Sequence, residues 1–244
     1  MSNFLASALD TVRLSALEAA RRALPQRCEL CAAASAGELI CAACARSLPR
    51  LGPACAVCAL PTPGGELCGQ CLAHPPPFAA TFAAFAYAFP VDRLMHALKY
   101  HGRLALSEWS AGALLVEHPR RGSTALPDRF VPLPLASDRQ RERGYNQASE
   151  IARGLARRLA VPLVRDGVRR VRAGPPQAAL PWTERARNVR GAFACALDLA
   201  GLTIAVVDDV MTTGASLAEF ARVLRAAGAA RVENWVVART LPPA

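Results

Sequence analysis

Apolar and polar residues alternate with two different periods between residues 80 and 240. Short apolar runs typical of strands occupy residues 84–89, 129–132, 203–207 and 231–238. Segments with apolar residues at helical spacing occupy residues 91–100, 105–117, 147–160 and 216–227. The run at 203–207 is continuously apolar and rich in β-branched residues, as in a strand that is buried on both faces. Because strands separated by helices usually pair in parallel, the pattern predicts an α/β fold with a mostly parallel sheet flanked by helices.

The chain before residue 80 has a different organisation. Residues 1–25 predict an amphipathic helix, because apolar side chains recur at helical spacing until Pro25 ends the segment. Residues 26–73 form a separate cysteine-rich module, and the prolines at 75–77 mark a stiff linker. We therefore predict three parts: a helix over residues 1–25, a small module over residues 26–73 and an α/β domain over residues 80–244.

Eight of the nine cysteines lie in the small module as four Cys-x-x-Cys pairs. The pairs are Cys28 and Cys31, Cys41 and Cys44, Cys55 and Cys58, and Cys68 and Cys71. A two-residue spacing lets both sulfurs point at one ion, and four thiolates complete a tetrahedral zinc shell. The pattern predicts two structural Zn²⁺ ions, with disulfides and iron–sulfur ligation as alternatives. We favour ligation by consecutive pairs, as in two tandem zinc ribbons, over an interleaved cross-brace.

The formal net charge is +10, and all of the excess falls in one part of the chain. Residues 120–190 contain 16 Arg, no Lys and six acidic residues, whereas basic and acidic residues balance elsewhere. A localised basic field indicates an anionic partner that carries phosphate groups, or a nucleic acid. The alternative is a solvated surface in a chain whose composition favours arginine, since Lys99 is its single lysine.

The sequence contains no apolar run of the length that spans a membrane, about 18 residues. Its first residues lack a basic start, and Asp10, Arg13 and Glu18 interrupt any apolar segment there, unlike a secretory signal. These features predict a soluble, cytoplasmic protein with no membrane span.

The segment that follows the 203–207 run combines carboxylates with a phosphate-binding type of loop. Two adjacent acids, Asp208 and Asp209, precede a small polar loop around Gly214 and then a helix. A helix start supplies free backbone N–H groups, and glycine allows a phosphate to approach the backbone closely. The acids would repel a phosphate, but they suit the two hydroxyls of a ribose or a bridging Mg²⁺. The combination indicates a sugar phosphate site, with a helix-capping acid pair beside a structural turn as the alternative.

Two common nucleotide-binding motifs are excluded. The loop lacks the lysine of a nucleotide triphosphatase P-loop, and the chain has no G-x-G-x-x-G fingerprint. Residues 206–216 (Val-Val-Asp-Asp-Val-Met-Thr-Thr-Gly-Ala-Ser) instead resemble the phosphoribosyl pyrophosphate (PRPP) motif of type I phosphoribosyltransferases.

The resemblance extends over nearly the whole chain to the ComF/GntX family of competence-associated proteins. It is carried by the cysteine module, by Arg-Gly-Tyr-Asn-Gln at residues 143–147 and by the PRPP motif. A further stretch, from Gln177 to Phe193, follows that family's Q-x-x-L-x(4)-R-x-x-N-x(4)-F spacing. The resemblance implies a type I phosphoribosyltransferase-like sheet, a PRPP motif over residues 204–216 and an N-terminal double zinc ribbon.

The resemblance also implies roles for individual residues. Asp208 and Asp209 would bind the ribose hydroxyls of PRPP, which is bound with Mg²⁺. The 5-phosphate would be held by Thr212, Thr213, Gly214, Ala215 and Ser216. The turn after the 129–131 strand falls where that fold binds pyrophosphate. The candidate side chains for pyrophosphate or another anion are Lys99, Arg139, Arg143, Asn146 and Arg185. Residues 177–188 fall where the family has a mobile loop, although Gly174, Pro175 and Pro176 depart from its usual pattern.

Three classes of function are compatible with these features. The first is an enzyme that transfers 5-phosphoribose from PRPP to an acceptor and releases pyrophosphate. The second is a single-stranded DNA-binding module for DNA uptake, in which PRPP binding is regulatory or vestigial. The third is a protein-interaction role, in which the ribbons dock a competence helicase. The sequence assigns no acceptor and no catalytic base.

Overall fold

A computed structural model of the chain describes residues 26–35, 37–120, 125–172 and 189–242. The chain divides into two compact units, Met1–Leu48 and Pro49–Ala244. Because the division falls between the second and third cysteine pairs, the last two pairs belong to the same unit as the α/β sheet. The helix predicted over residues 1–25 lies outside the described residues.

The first unit is a small cysteine ribbon. Strands β1 (Gln26–Arg27) and β2 (Ala34–Ser35) pair antiparallel, and helix α1 (Ala42–Arg46) follows them. The turn between the strands closes where the Cys28 backbone N–H donates to the Ala33 carbonyl at 2.9 Å. This hairpin carries the first cysteine pair, and α1 carries the second.

The second unit begins with the last two cysteine pairs and helix α2 (Gly69–Ala73). Its strands are β3 (Ala80–Ala86), β4 (Arg129–Pro132), β5 (Val168–Arg170), β6 (Phe193–Cys195), β7 (Thr203–Met211) and β8 (Arg231–Arg239). Its later helices are α3 (Val91–Tyr100), α4 (Ala105–Arg120), α5 (Ser137–Arg143), α6 (Gln147–Leu159) and α7 (Ala215–Ala226). Among the described residues, no helix combines the length and the apolar character that crossing a membrane requires.

Four strands form one parallel sheet in the order β3-β8-β7-β4, which confirms the predicted mostly parallel sheet flanked by helices. Strand β3 begins and ends earlier than the predicted 84–89 strand, because the chain turns away from the sheet after Ala86. In that turn the Ala88 N–H donates to the Ala86 carbonyl at 2.9 Å, and Phe89 is exposed. Strand β7 continues beyond residue 207, because its pairing with β8 extends to Met211 opposite Arg239.

Both faces of the sheet are covered, as the apolar sequence of β7 and β8 requires. On one face Trp235 packs edge-on against Phe82 and Phe130, with ring centroids 5.6 and 5.3 Å away. Helices α4 and α6 contact each other and this sheet. The other face contributes Val206 and Val236 to a core that also contains buried side chains of α7. The carboxyl ends of all four strands meet at one edge, where ligands bind in open α/β sheets.

Candidate functional site

The eight clustered cysteines form two groups of four in the order of the chain. The first group is Cys28, Cys31, Cys41 and Cys44, and the second is Cys55, Cys58, Cys68 and Cys71. Within each group the sulfurs lie within 4.8 Å of one another. The Sγ atoms of Cys31 and Cys41 are 3.8 Å apart, and those of Cys58 and Cys68 are 3.5 Å apart. Zn–S bonds of about 2.3 Å place sulfurs about 3.8 Å apart in a tetrahedron, so both groups fit zinc.

Backbone N–H groups prepare one cysteine of each group as a thiolate. The Cys28 Sγ accepts from the N–H groups of Cys41 at 3.3 Å and Leu30 at 3.5 Å. Burial raises the pKa of Cys28, but these donors and that of Cys31 outweigh it and lower the pKa to about 6. The same balance of burial against N–H donors lowers the pKa of Cys55 to about 7. Because zinc binds the thiolate, each group contains a cysteine that is ready to bind the ion near neutral pH.

The second cysteine group is part of the core of the second unit. Cys55, Cys58 and Cys71 are buried in the same cluster as Phe78, Leu217 and other residues that pack beneath α7. The backbone also joins the ribbon to the sheet, because the Thr81 N–H donates to the Ala56 carbonyl at 3.0 Å. This ribbon is therefore an integral layer of the second unit.

The two adjacent acids lie on β7 and have different surroundings. Asp208 lines a small pocket together with Thr212, Gly214, Ala215 and Ser216. Asp209 is 4% exposed, and its Oδ2 atom lies 3.0 Å from Lys99 Nζ. Lys99 occupies the last turn of α3, and this single lysine of the chain forms a largely buried ion pair with Asp209, one of the two predicted ribose-binding acids.

Burial and charge shift the protonation of this site. Burial and the neighbouring Asp209 carboxylate together raise the pKa of Asp208 to about 8, although Lys99 opposes the shift. Burial lowers the pKa of Lys99, but the charge of Asp209 and its hydrogen bond outweigh that effect and raise it. The raised pKa of Asp208 favours its protonated form near neutral pH, and the raised pKa of Lys99 favours its charged form.

The loop between β7 and α7 has the geometry of an anion-binding turn. Gly214 precedes α7 with φ +82°, in the left-handed region that favours glycine. A Cβ atom at this position would lie 2.5 Å from the Met211 Cε, so the end of that flexible side chain would have to shift to admit a larger residue. The Thr213 Oγ1 accepts from the Ala215 N–H at 3.2 Å, which orders the turn. The start of α7 thus presents backbone N–H groups to the pocket that Asp208 lines.

The predicted pyrophosphate turn lies beside β7. The Leu133 N–H, directly after β4, donates to the Val207 carbonyl at 2.9 Å, next to Asp208. The Asn146 Nδ2 donates to the Leu133 carbonyl at 3.0 Å, and its Oδ1 caps α6 by accepting from the Ala148 N–H. The structure therefore places Asn146 as a residue that positions the turn.

The other candidate anion-binding residues lie in three different surroundings. Arg143 stacks over the Tyr100 ring at 4.8 Å and donates to its hydroxyl at 3.3 Å. Arg139 lies near Arg170. Burial lowers the pKa of Arg170, and the charge of Arg139 lowers it further. Arg185 lies outside the described residues. Lys99 is therefore the candidate that the structure places against the acid pair.

Two residues that sequence reasoning did not single out organise the site. The Tyr145 hydroxyl donates to the Leu98 carbonyl, so Arg143 and Tyr145 contact α3 on either side of Lys99. Arg239, 2% exposed, donates to the Met211 and Thr212 carbonyls beside the phosphate loop. A signal existed for Arg239, because it directly follows the apolar run that forms β8, at the sheet edge where the acids lie.

Comparison with known proteins agrees with this architecture. A family model described as a double zinc ribbon domain matches residues 19–72. A second model, described as a phosphoribosyl transferase domain, matches residues 146–241. The first match spans both cysteine groups, and the second spans the acid pair, the loop and α7.

Relatives with curated names match most of the chain. DNA utilization protein YhgH of Escherichia coli (strain K12) is 38% identical over 173 residues, which are 70% of this chain and 76% of that protein. The protein of the same name from Salmonella typhi is 37% identical over 206 residues, or 83% of this chain and 91% of that one. Competence protein F of Haemophilus influenzae is 31% identical over 159 residues, or 63% and 69%. With its double zinc ribbon, its phosphoribosyltransferase-like sheet and these relatives, the chain belongs to the ComF/GntX family.

Proposed function

We propose that this protein binds PRPP at the carboxyl edge of its sheet and transfers the 5-phosphoribose group to an acceptor with release of pyrophosphate. The observation that carries the proposal is one pocket shared by Asp208 and the loop at the start of α7. A carboxylate beside the N-terminus of a helix suits a ligand that carries hydroxyl donors next to a phosphate, as a ribose 5-phosphate does.

Each part of the site has a distinct task in this proposal. The backbone at Thr213, Gly214 and Ala215 binds the 5-phosphate, together with the Thr212 and Ser216 hydroxyls. Asp208 and Asp209 accept hydrogen bonds from the two ribose hydroxyls. Lys99 pairs with Asp209 and offsets the negative charge that accumulates when PRPP enters.

Mg²⁺ fits the donor set of this edge, because the ion prefers carboxylates and the oxygens of substrate phosphates. Asp208 and Asp209 are the residues that would hold it, and it would neutralise charge on the departing pyrophosphate. The turn at Leu133 is the proposed pyrophosphate site, where backbone groups held by Asn146 face the same sheet edge. We assign no catalytic residue.

The cellular role we propose is DNA uptake and use, since relatives carry the names competence protein F and DNA utilization protein. A second candidate function, single-stranded DNA binding with a regulatory PRPP site, is favoured by an arginine surface on the β5–β6 hairpin. Arg169 and Arg172 are exposed there, and Arg170 lies near Arg139. A competence helicase remains a proposed partner of the zinc ribbons.

Calorimetric titration of PRPP with Mg²⁺ into the zinc-loaded protein tests the proposal. We expect Asp208→Asn with Asp209→Asn to weaken binding by more than about a hundredfold, because two charge-assisted hydrogen bonds are lost. Asp198→Asn, which removes an exposed carboxylate before β7, is the matched control and should bind like wild type. A folded wild type that binds no PRPP overturns the proposal. Salt-sensitive binding of a single-stranded oligonucleotide by the same sample would then favour the second candidate.

Binding of PRPP should release a proton from Asp208. Its pKa is raised to about 8 in the free protein, so most molecules hold the proton near pH 7. Mg²⁺ and ribose hydroxyls require the ionised carboxylate, so the proton leaves on binding and the release fades above about pH 9. Calorimetry in buffers with different ionisation enthalpies measures the number of protons released. If the binding enthalpy near pH 7 is the same in all buffers, no proton is released and the prediction is contradicted.

A further inference from the structure

Arg239 is an ion buried between two functional parts of the second unit. It ends β8 and is 2% exposed, yet no acidic residue pairs with it among the described ion pairs. A guanidinium in such a place is stable only when its N–H groups are satisfied by other acceptors. Its backbone partners among the described residues are carbonyls that lie at two separate places in the fold.

One set of partners belongs to the phosphate loop. Arg239 Nη1 donates to the Met211 carbonyl at 3.1 Å and to the Thr212 carbonyl. It also donates to the Thr240 carbonyl at 2.7 Å, while the Thr240 N–H donates to the Met211 carbonyl at 2.9 Å. Met211 is the residue against which Gly214 packs, so these bonds fix the start of the loop.

The other partner belongs to the second cysteine group. Arg239 Nε donates to the Cys58 carbonyl at 2.8 Å, within the Cys55–Cys58 knuckle. Zinc with four thiolates carries a net negative charge, so the zinc-loaded knuckle provides the counter-charge that this buried cation lacks elsewhere.

We infer that Arg239 is a positioning residue that ties the second zinc site to the phosphate loop, so that zinc in the ribbon holds the loop in its ligand-binding form. The identity of the ligand rests on the proposed ribose phosphate site. The link between the zinc site and the loop does not depend on that proposal. The first zinc site, which belongs to the other compact unit, has no part in this link. The two ribbons therefore differ, because only the second one controls the conformation of the phosphate loop through Arg239.

Amide hydrogen exchange of the full, ligand-free chain tests the link directly. The measured quantity is the exchange rate of residues 211–217 divided by that of the buried β8 residues 232–237. We expect Arg239→Met to raise this ratio at least tenfold, and Arg239→Lys to raise it less, with two zinc ions still bound per chain. Arg225→Met is the matched control, since Arg225 also donates to carbonyls, those of Ala229 and Ala230, at the opposite end of α7. If the ratio in Arg239→Met stays within twofold of the wild-type ratio, the inference is overturned. This holds even if exchange becomes faster throughout the unit, because both rates then rise together.

A second experiment removes one zinc ligand at a time and measures the same exchange ratio. Cys68→Ser should raise the same exchange ratio in the wild-type background but have little further effect in Arg239→Met, whereas Cys41→Ser should leave it unchanged. Additive effects of Cys68→Ser and Arg239→Met would overturn the link.

PRPP titration separates the two proposals: binding that is unchanged in Arg239→Met refutes the positioning role and leaves the proposed function intact. A wild type that binds no PRPP but shows the exchange coupling refutes the proposed function alone.

Discussion

Replacing Cys68 by serine should destabilise the entire second unit. Cys68 belongs to a cysteine group whose other three members are buried, and that group shares a core with α7 and the sheet. Loss of the zinc leaves buried, uncompensated sulfur groups and removes binding energy that contributes to folding. We expect a loss of at least about 3 kcal/mol, or a fall in Tm of about 10 °C for a unit of this size. Thermal unfolding followed by tryptophan fluorescence measures it, because all three tryptophans lie after residue 48.

Cys41→Ser is a closely matched control for this prediction. Cys41 and Cys68 are both partly exposed, each precedes a five-residue helix, and each belongs to one group of four sulfurs. Both substitutions should cost one zinc per chain, as measured by metal analysis. Only Cys68→Ser should shift the tryptophan transition, since Cys41 lies in the first unit. Equal shifts for the two variants would show that the ribbons stabilise the sheet to the same extent.

The sequence predicted the sheet because burial on both faces leaves a strong mark. The continuous apolar run at residues 203–207 is typical of such a strand, and amphipathic spacing identified α3, α6 and α7. The pairing of β5 with β6 was not predicted, because each strand has only three residues and the two strands are distant in sequence. Helix α5 was also missed, since it buries no residue and has no apolar face to detect. Local pattern therefore identified the elements that contribute to the core.

The candidate site was predicted only where its chemistry is local. The acids, the glycine and the hydroxyls of the loop are consecutive, so their spacing alone indicated a sugar phosphate. The ion pair of Lys99 with Asp209 joins residues that are remote in sequence, and only the packing of α3 brings them together. The link from Arg239 to Cys58 also depends on backbone carbonyls, which any residue type provides and which leave no trace in a sequence.

Replacing Lys99 by methionine should destabilise the protein by about 3 kcal/mol, because it leaves the buried Asp209 carboxylate without its cation. The flexible methionine side chain fills similar space, so the cost arises from the unpaired charge. The loss should grow as the pH rises through about 8, because Asp208 then loses its proton and the variant holds two neighbouring carboxylates without their cation. The pKa of Asp208, which Lys99 lowers, should rise further in this variant. Denaturant unfolding at several pH values measures these changes.

A double-mutant cycle separates the ion pair from packing. Asp209→Asn in the Lys99→Met background removes the buried charge itself, so the double variant should recover most of the stability that Lys99→Met loses. Arg153→Met serves as the control, because its pair with Glu150 is exposed and should contribute less than about 1 kcal/mol. A double variant as unstable as the sum of its single variants would place the role of Lys99 in packing alone. If the double variant is stable but does not bind PRPP, the ion pair is needed for ligand binding and not for folding.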